Sequence, residues 1–154
     1  MAGYTTAFPT SAKAELAKAL HNYTITSGND YKCALGIPSP TGTYGAATTN
    51  YSNLTGNSDE VANGSGYTTG GFDFTAADNI TPLTSGTDAY WQWSVNPSWS
   101  SASFSCRGCI IYDATSSNEA VYVGDFGGTQ TVASGTLTLV QPTNGAGTSL
   151  LQLN

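Results

Sequence analysis

Charged residues are scarce in this 154-residue sequence. Lys and Arg together number 4 and Asp and Glu number 10, so 9% of the residues are charged, against about 25% in an average domain. Nucleic-acid binding depends on clustered Lys and Arg that contact phosphates, and two of the four basic residues, Lys13 and Lys18, lie in one short segment. With a net charge of −6, the sequence predicts no nucleic-acid partner.

Long apolar runs are missing as well. No apolar stretch approaches the ~18 residues that a membrane span requires, so we expect no membrane partner. The N-terminal "MAGYTTAFPTSAKAEL" has no basic segment followed by an apolar core, which an export signal needs. We therefore expect the chain to be made in a cytoplasm and used there, or carried out of the cell within an assembly.

Cysteine is too rare for a disulfide framework. Three cysteines are an odd number, which fits a reducing compartment. "CRGC" lies in an apolar run typical of a strand, where residues three apart face opposite sides, so the sulfurs of Cys106 and Cys109 are expected to diverge. The favoured interpretation is three small apolar core residues. The alternative is a Cys₃His metal site completed by Cys33 and His21.

Residues for catalysis are few and scattered. His21 is the only histidine, and it lies in a predicted helix without a nucleophile elbow, so a Ser-His-Asp site is not indicated. The "DFG" at 125–127 lacks the other kinase motifs. The acids are dispersed, and no glycosidase-type pair can be nominated, since such a pair need only meet in space. We predict that the protein is not an enzyme and uses no cofactor.

Glycine, in contrast, is concentrated in "NGSGYTTGGFDF", residues 63–74. A phosphate-binding loop is followed by a helix N-terminus, whereas an alternating strand pattern follows here, and no lysine occurs after Cys33. The glycines therefore indicate positive φ or close backbone approach in a loop that enters a strand, and a tyrosine anchors it. The predicted structural-loop residues are Gly64, Gly66, Tyr67, Gly70 and Gly71.

One helix is indicated near the N-terminus. Thr10 or Ser11 can cap it, and Glu15 lies early in it, where the helix dipole favours an acid. Leu16 and Leu20 recur at helical spacing, and "TSGND" ends the pattern. This segment is amphipathic and too short to be stable alone.

The remaining sequence predicts short strands. The apolar alternations are "YKCAL", "GFDFT", "AYWQWSV", "SFSCRGCIIYD", "AVYVGDF", "TLTLVQ" and "SLLQL", and "FGGTQTVASG" is one of the predicted connections. Seven or eight short strands with turn signals favour a mainly β fold, an antiparallel, jelly-roll-like sandwich with one short N-terminal helix. We expect a single domain over 1–154, with 1–29 as a helical arm.

Two further features have more than one interpretation. Arg107, the only arginine, lies in a nearly apolar strand, which predicts a structural ion pair with Asp113, Asp125 or an acid of a neighbouring subunit. The tryptophans at 91, 93 and 99 either fill the sandwich core, which we favour, or form an exposed platform for a sugar.

The order of these segments resembles a family of small tailed-bacteriophage virion proteins, whose members are usually labelled head decoration, cement or minor structural proteins, sometimes tail-fibre-like. The resemblance covers nearly the whole chain. Its most specific parts are the glycine-rich block from Glu60 to Gly71 and the strand from Arg107 to Asp113. Cys106 and Cys109 depart from it, because the family pattern leads us to expect small or aliphatic residues there.

The resemblance implies a non-catalytic capsid decoration (cement) protein on the virion surface, made in the host cytoplasm. Its partners would be the major capsid protein and copies of itself in a dimer or trimer. The alternative is a tail-fibre-like module that binds a receptor or glycan. We expect the N-terminal segment to hold the capsid-binding residues, because it is amphipathic and marginal alone: Tyr4, Phe8, Leu16, Leu20 and Tyr23.

Overall fold

The computed structural model describes residues 1–24, 26–74, 80–86, 88–141 and 151–153. It is mainly β, with two antiparallel sheets and two helices, which confirms the predicted fold class; the jelly-roll topology stays a prediction. The elements are β1 Gly3–Tyr4, α1 Thr10–Ala17, β2 Tyr31–Gly36, β3 Thr43–Tyr44, α2 Ser52–Gly56, β4 Phe72–Phe74, β5 Ile80–Ser85, β6 Asp88–Trp93, β7 Ser98–Asp113, β8 Glu119–Thr138 and β9 Leu151–Leu153.

The strands form three sheets. The largest has the order β4-β2-β7-β8, and all its neighbours are antiparallel. The second has the order β5-β6-β9 and is also antiparallel, and β1 pairs with β3 in a small parallel sheet. Of the predicted "GFDFT" and "SLLQL" strands, residues 75 and 149–150 lie outside the described residues.

The large sheet is buried on both faces. Successive β2 residues point to opposite faces, so Cys33 and Leu35 enter one apolar cluster and Ala34 enters the other. Trp91 and Trp93 of the second sheet join the first cluster, which places that sheet against this face in a sandwich-like arrangement. The other face is covered by the N-terminal strand, β3 and α2, through Tyr4, Tyr44 and Leu54.

The N-terminal helix is shorter than predicted, and it is not an arm. α1 ends at Ala17, because Ala19 adopts a φ of 56° that a helix cannot continue. Its N-cap is Pro9 and no side chain caps it, so the prediction of a Thr10 or Ser11 cap is wrong. The chain on both sides of α1 is integrated into the fold.

No helix in the described parts of the chain is long and apolar enough to cross a membrane.

β8 is much longer than predicted. The segment "FGGTQTVASG" was expected to be a connection, and it continues the strand, which runs for 20 residues. Gly127 does break the regular pairing, with a φ of +74°. From Cys106 to Gly108 the partner moves from Gln130 to Asp125, so β8 contains a bulge of several residues there. The glycines therefore form a bulge within one strand and not a turn between two.

The glycine-rich loop has the backbone that its sequence indicates. Gly64, Gly66, Gly70 and Gly71 all have positive φ, between +84° and +109°. A Cβ on Gly71 would lie 1.9 Å from the Cys33 carbonyl oxygen, so only glycine fits there. Tyr67 is 2% exposed, and its hydroxyl donates to Glu60 Oε1 at 2.7 Å and accepts from the Leu35 N–H at 3.0 Å. The loop is thus anchored on β2.

Candidate functional site

Two of the five predicted capsid-binding residues belong to the core. Tyr4 is 5% exposed and Tyr23 is 8% exposed. The ring of Tyr4 stacks on Tyr44 with centroids 5.1 Å apart, and that of Tyr23 stacks on Tyr31 at 4.8 Å. In this conformation neither residue is available to a partner. Both lie outside α1, and their rings pack in the two apolar clusters of the large sheet.

The other three residues are spread over different environments. Phe8 and Leu16 are partly buried and pack against the first apolar cluster. Leu20 is 41% exposed. Of the five predicted residues, the N-terminal segment therefore presents one, Leu20, as an exposed apolar side chain.

The first half of the β8 edge is covered by this same N-terminal segment. Ala7 exchanges both backbone hydrogen bonds with Val123, at 2.9 and 3.0 Å, and the Asp125 N–H donates to Thr6 Oγ1 at 3.1 Å. The Ala120 N–H donates to the Thr49 carbonyl at 3.0 Å. Residues 6–7 therefore protect the edge of the sheet at Val123 and Asp125, and residues 49–50 protect it at Glu119 and Ala120.

The second half of β8 runs from Gly127 to Thr138, and in the part of the chain that the structure describes no element covers its outer edge. β8 is the last strand of its sheet, and within the described ranges no strand pairs with the outer edge of this half. Its sequence, "GGTQTVASGTLT", has no charge and no proline. Soluble proteins usually protect an exposed edge with Lys, Pro, a short strand or a covering element. We call this segment the open edge, and it is the candidate functional site.

The face of the sheet beside the open edge carries two cross-strand pairs of hydroxyls. Ser98 Oγ lies 3.2 Å from Thr138 Oγ1, and Ser105 Oγ lies 2.8 Å from Thr131 Oγ1. These cross-strand pairs fix the side chains of β7 and β8 against one another. Rigid, uncharged groups lose little conformational entropy and little hydration energy when a partner covers them. The surface is therefore suited to association.

A cavity of about 410 Å³ lies beside the open edge. Three aromatic residues, Trp93, Tyr122 and Phe126, contribute to its wall, and Asp125 and Gln130 supply polar groups. Mixed apolar and polar linings of this kind are typical of small-molecule sites.

The tryptophans do not form an exposed platform. Trp91 and Trp93 are each 5% exposed and Trp99 is 6% exposed. Trp99 contacts the rings of Tyr67 and Phe72, with centroids 6.3 and 6.2 Å away. The core interpretation is confirmed by this burial, although Trp93 also reaches the cavity wall.

The three thiols converge, contrary to the prediction. Cys33, Cys106 and Cys109 all lie in the first apolar cluster, because the pairing irregularity between Cys106 and Gly108 cancels the strict alternation of the strand. A hydrogen bond to Cys109, followed by burial, raises the pKa of Cys33 well above its usual range, and burial raises the pKa of Cys106 to about 12. Protonated, buried thiols are poor nucleophiles and poor metal ligands.

His21 lies away from the thiols, in a buried polar centre. Its Nδ1 is 2.8 Å from Asp113 Oδ2 and its Nε2 is 3.0 Å from Glu15 Oε2. Burial opposes the charge on the ring, but the hydrogen bonds to Asp113 and Glu15 outweigh burial and raise the pKa of His21. Among the described residues the thiols and His21 therefore do not assemble a Cys₃His site.

Arg107 forms the ion pair with one of the predicted acids. Its Nε lies 3.6 Å from Asp125 Oδ1, which is an electrostatic contact and too long for a hydrogen bond. Both side chains are partly exposed, so the pair contributes little to stability. Asp113, the other predicted partner within the chain, is bound to His21 instead.

Comparison of the chain with models of protein families, with curated proteins and with solved structures found no match. We therefore infer the function from the surface and the sites of this chain.

Proposed function

We propose that this chain is a bacteriophage virion structural protein, a capsid decoration or cement protein that binds the outer head surface and stabilises the shell. The observation that carries the proposal is the open edge of β8, an exposed strand of Gly127–Thr138 without a charge or a proline. A protein that works alone would be at risk of aggregation with such an edge. A subunit of an assembly uses it as an interface.

The mechanism is association by strand addition. A strand of the major capsid protein, or of a second copy of this chain, pairs with the open edge through main-chain hydrogen bonds. A standard interface of about 1,600 Å² repeated over many symmetric copies gives avidity that resists pressure from inside the shell. Copies of this chain would close into a dimer or trimer around the same edge.

Introducing lysines at the open edge should weaken head binding. In Thr129→Lys/Thr136→Lys, both substituted residues are exposed, so the fold is retained, but a partner strand must desolvate two charges. We expect at least a tenfold weaker affinity for purified heads that lack the decoration protein, measured by co-sedimentation of labelled protein.

The matched control is Thr55→Lys/Thr68→Lys, which makes the same change in net charge at two exposed threonines away from β8. It should bind heads like the unmodified chain. If the edge variant saturates heads with unchanged affinity, the open edge is not the capsid interface. If both variants lose affinity equally, the effect is one of net charge.

A second candidate function, a tail-fibre-like receptor- or glycan-binding module, is favoured by the cavity. Its wall joins the rings of Tyr122 and Phe126 to the amide of Gln130, and aromatic faces with a few polar groups are suited to a sugar ring. If this function holds, host surface glycans should bind saturably and shift the fluorescence of Trp93. The substitution Gln130→Ala should lower the affinity for these glycans at least tenfold. Because Gln130 also lies in the open edge, head binding by Gln130→Ala is measured as well, and loss of glycan binding with retained head binding would separate this function from the first.

A further inference from the structure

Three ligand-type side chains meet at the end of the sheet opposite to the open edge of β8. Glu15 of α1, His21 of the following segment and Glu119 at the start of β8 each bring one ligand atom into a group, and all three atoms lie within 4.8 Å of one another. The closest pair, Glu15 Oε2 and His21 Nε2, is 3.0 Å apart. A tetrahedral ion with bonds of about 2.0–2.1 Å separates its ligand atoms by roughly 3.4 Å.

The second ring nitrogen of His21 contacts a carboxylate, as it commonly does in metal-binding histidines. Its Nδ1 faces Asp113 Oδ2 at 2.8 Å, and both side chains are fully buried. Asp113 is fixed in turn by the Asn29 amide at 2.6 Å and by the N–H groups of Thr115 and Ser116 at 3.1 and 3.0 Å. A carboxylate that accepts from Nδ1–H sets the tautomer of the ring and directs the Nε2 lone pair to a metal.

Two buried tyrosines pack beside this centre. Tyr31 is 0% exposed and Tyr23 is 8% exposed, and their rings stack with centroids 4.8 Å apart. The ring of Tyr23 lies 6.4 Å from that of His21, and both tyrosines lie close enough to Asp113 to sense its charge.

We propose that Glu15, His21 and Glu119 bind one Zn²⁺ ion, with Asp113 orienting His21. Two carboxylates and a neutral imidazole carry a charge of −2, which matches a divalent ion, and imidazole with carboxylate is a ligand set that zinc accepts. Glu119 is oriented by Ser116, whose hydroxyl donates to Oε2 at 2.7 Å. Glu15 is 14% exposed at its side chain, so the ion can enter from solvent.

The ion would tie together three distant parts of the chain. Glu15 lies in α1 and Glu119 opens β8, so bound zinc fastens the N-terminal segment to the large sheet. Without zinc, His21 lies between Glu15 and Asp113, with one ring nitrogen in hydrogen-bond contact with each carboxylate.

The test is a calorimetric titration of the full chain with Zn²⁺ at pH 7.5. Unmodified protein should bind one ion per chain and release protons, and its thermal midpoint should rise with zinc and fall with a chelator. Glu119→Gln removes one ligand and leaves the hydrogen bonds of His21 intact, so it should fold normally and bind zinc at least tenfold more weakly. Asp73→Asn, which alters an exposed acid, is the control and should bind as the unmodified chain does.

X-ray absorption of the zinc-loaded protein identifies the ligands. A shell of N and O atoms at about 2.0–2.1 Å with no sulfur at about 2.3 Å supports the proposal. A sulfur shell would assign the ion to the cysteines and overturn the proposal. No saturable binding, or equal affinity in Glu119→Gln, would also overturn it. All of these outcomes are independent of head binding.

Discussion

Tyr4→Ala should destabilise the protein by about 3–5 kcal/mol, the loss typical of removing a large buried aromatic side chain. Tyr4 lies against two glycines of the central strands: a Cβ on Gly36 would lie 2.0 Å from the Tyr4 hydroxyl oxygen, and one on Gly108 would lie 2.5 Å from Tyr4 Cγ. It also stacks on Tyr44, and its hydroxyl donates to the Ile37 carbonyl at 3.3 Å. Urea unfolding followed by circular dichroism measures the change.

Leu20→Ala is the control, because Leu20 comes from the same set of predicted adhesive residues but is 41% exposed. Its substitution should change stability by no more than about 0.5 kcal/mol. Equal losses in both variants would mean that Tyr4 is not a core residue. Deletion of residues 1–23 should likewise unfold the β domain, since it removes the buried residues Tyr4, His21 and Tyr23 together.

Local sequence signals predicted those elements that depend on local chemistry. The glycine-rich loop was predictable, because Gly71 and its neighbours need a backbone that other residues disfavour. The strands β2 and β6 were also readable, since Tyr31, Cys33 and Leu35 of β2 and Trp91 and Trp93 of β6 alternate into the first apolar cluster. The mainly β, antiparallel class follows from these patterns.

Features that depend on distant pairing could not be predicted. The weak alternation of "FGGTQTVASG" looks like a loop until β7 pairs with it, and the bulge beside Gly127 then decides which face each residue takes. The convergence of Cys106 and Cys109 follows from that same irregularity. A sequence pattern that assumes strict alternation could not show it.

The buried centre around His21 was missed for the same reason. Its two main partners, Glu15 and Asp113, lie 6 and 92 positions away in the chain, and neither spacing corresponds to a known motif. The one signal in the sequence was an acid, Glu15, six positions before the only histidine. The open edge of β8 was likewise hidden, although its lack of charge was visible in the composition.

Asp113→Ala should destabilise the protein by about 3–5 kcal/mol, the loss expected when one partner of a buried ion pair is removed. The substitution removes the acceptor of the His21 ring and of the N–H groups of Thr115 and Ser116. Asn29 loses one of its hydrogen bonds and keeps the one to the Leu20 carbonyl. Asp113→Asn keeps the size and one acceptor, so it should fall between the unmodified chain and Asp113→Ala. Urea unfolding at pH 7 in the presence of a chelator measures both variants without a contribution from metal.

The control is Asp73→Ala, which breaks the exposed pair between Lys32 and Asp73 at 3.1 Å and should cost no more than about 1 kcal/mol. If Asp113→Ala is as stable as Asp73→Ala, the centre around His21 does not hold the N-terminal segment on the sheet. A large loss in Asp113→Ala alone means that the segment is fastened by this centre. Residues 6–7 of the same segment protect part of the first half of the β8 edge. The centre around His21 therefore also determines how much of that edge is open to a partner.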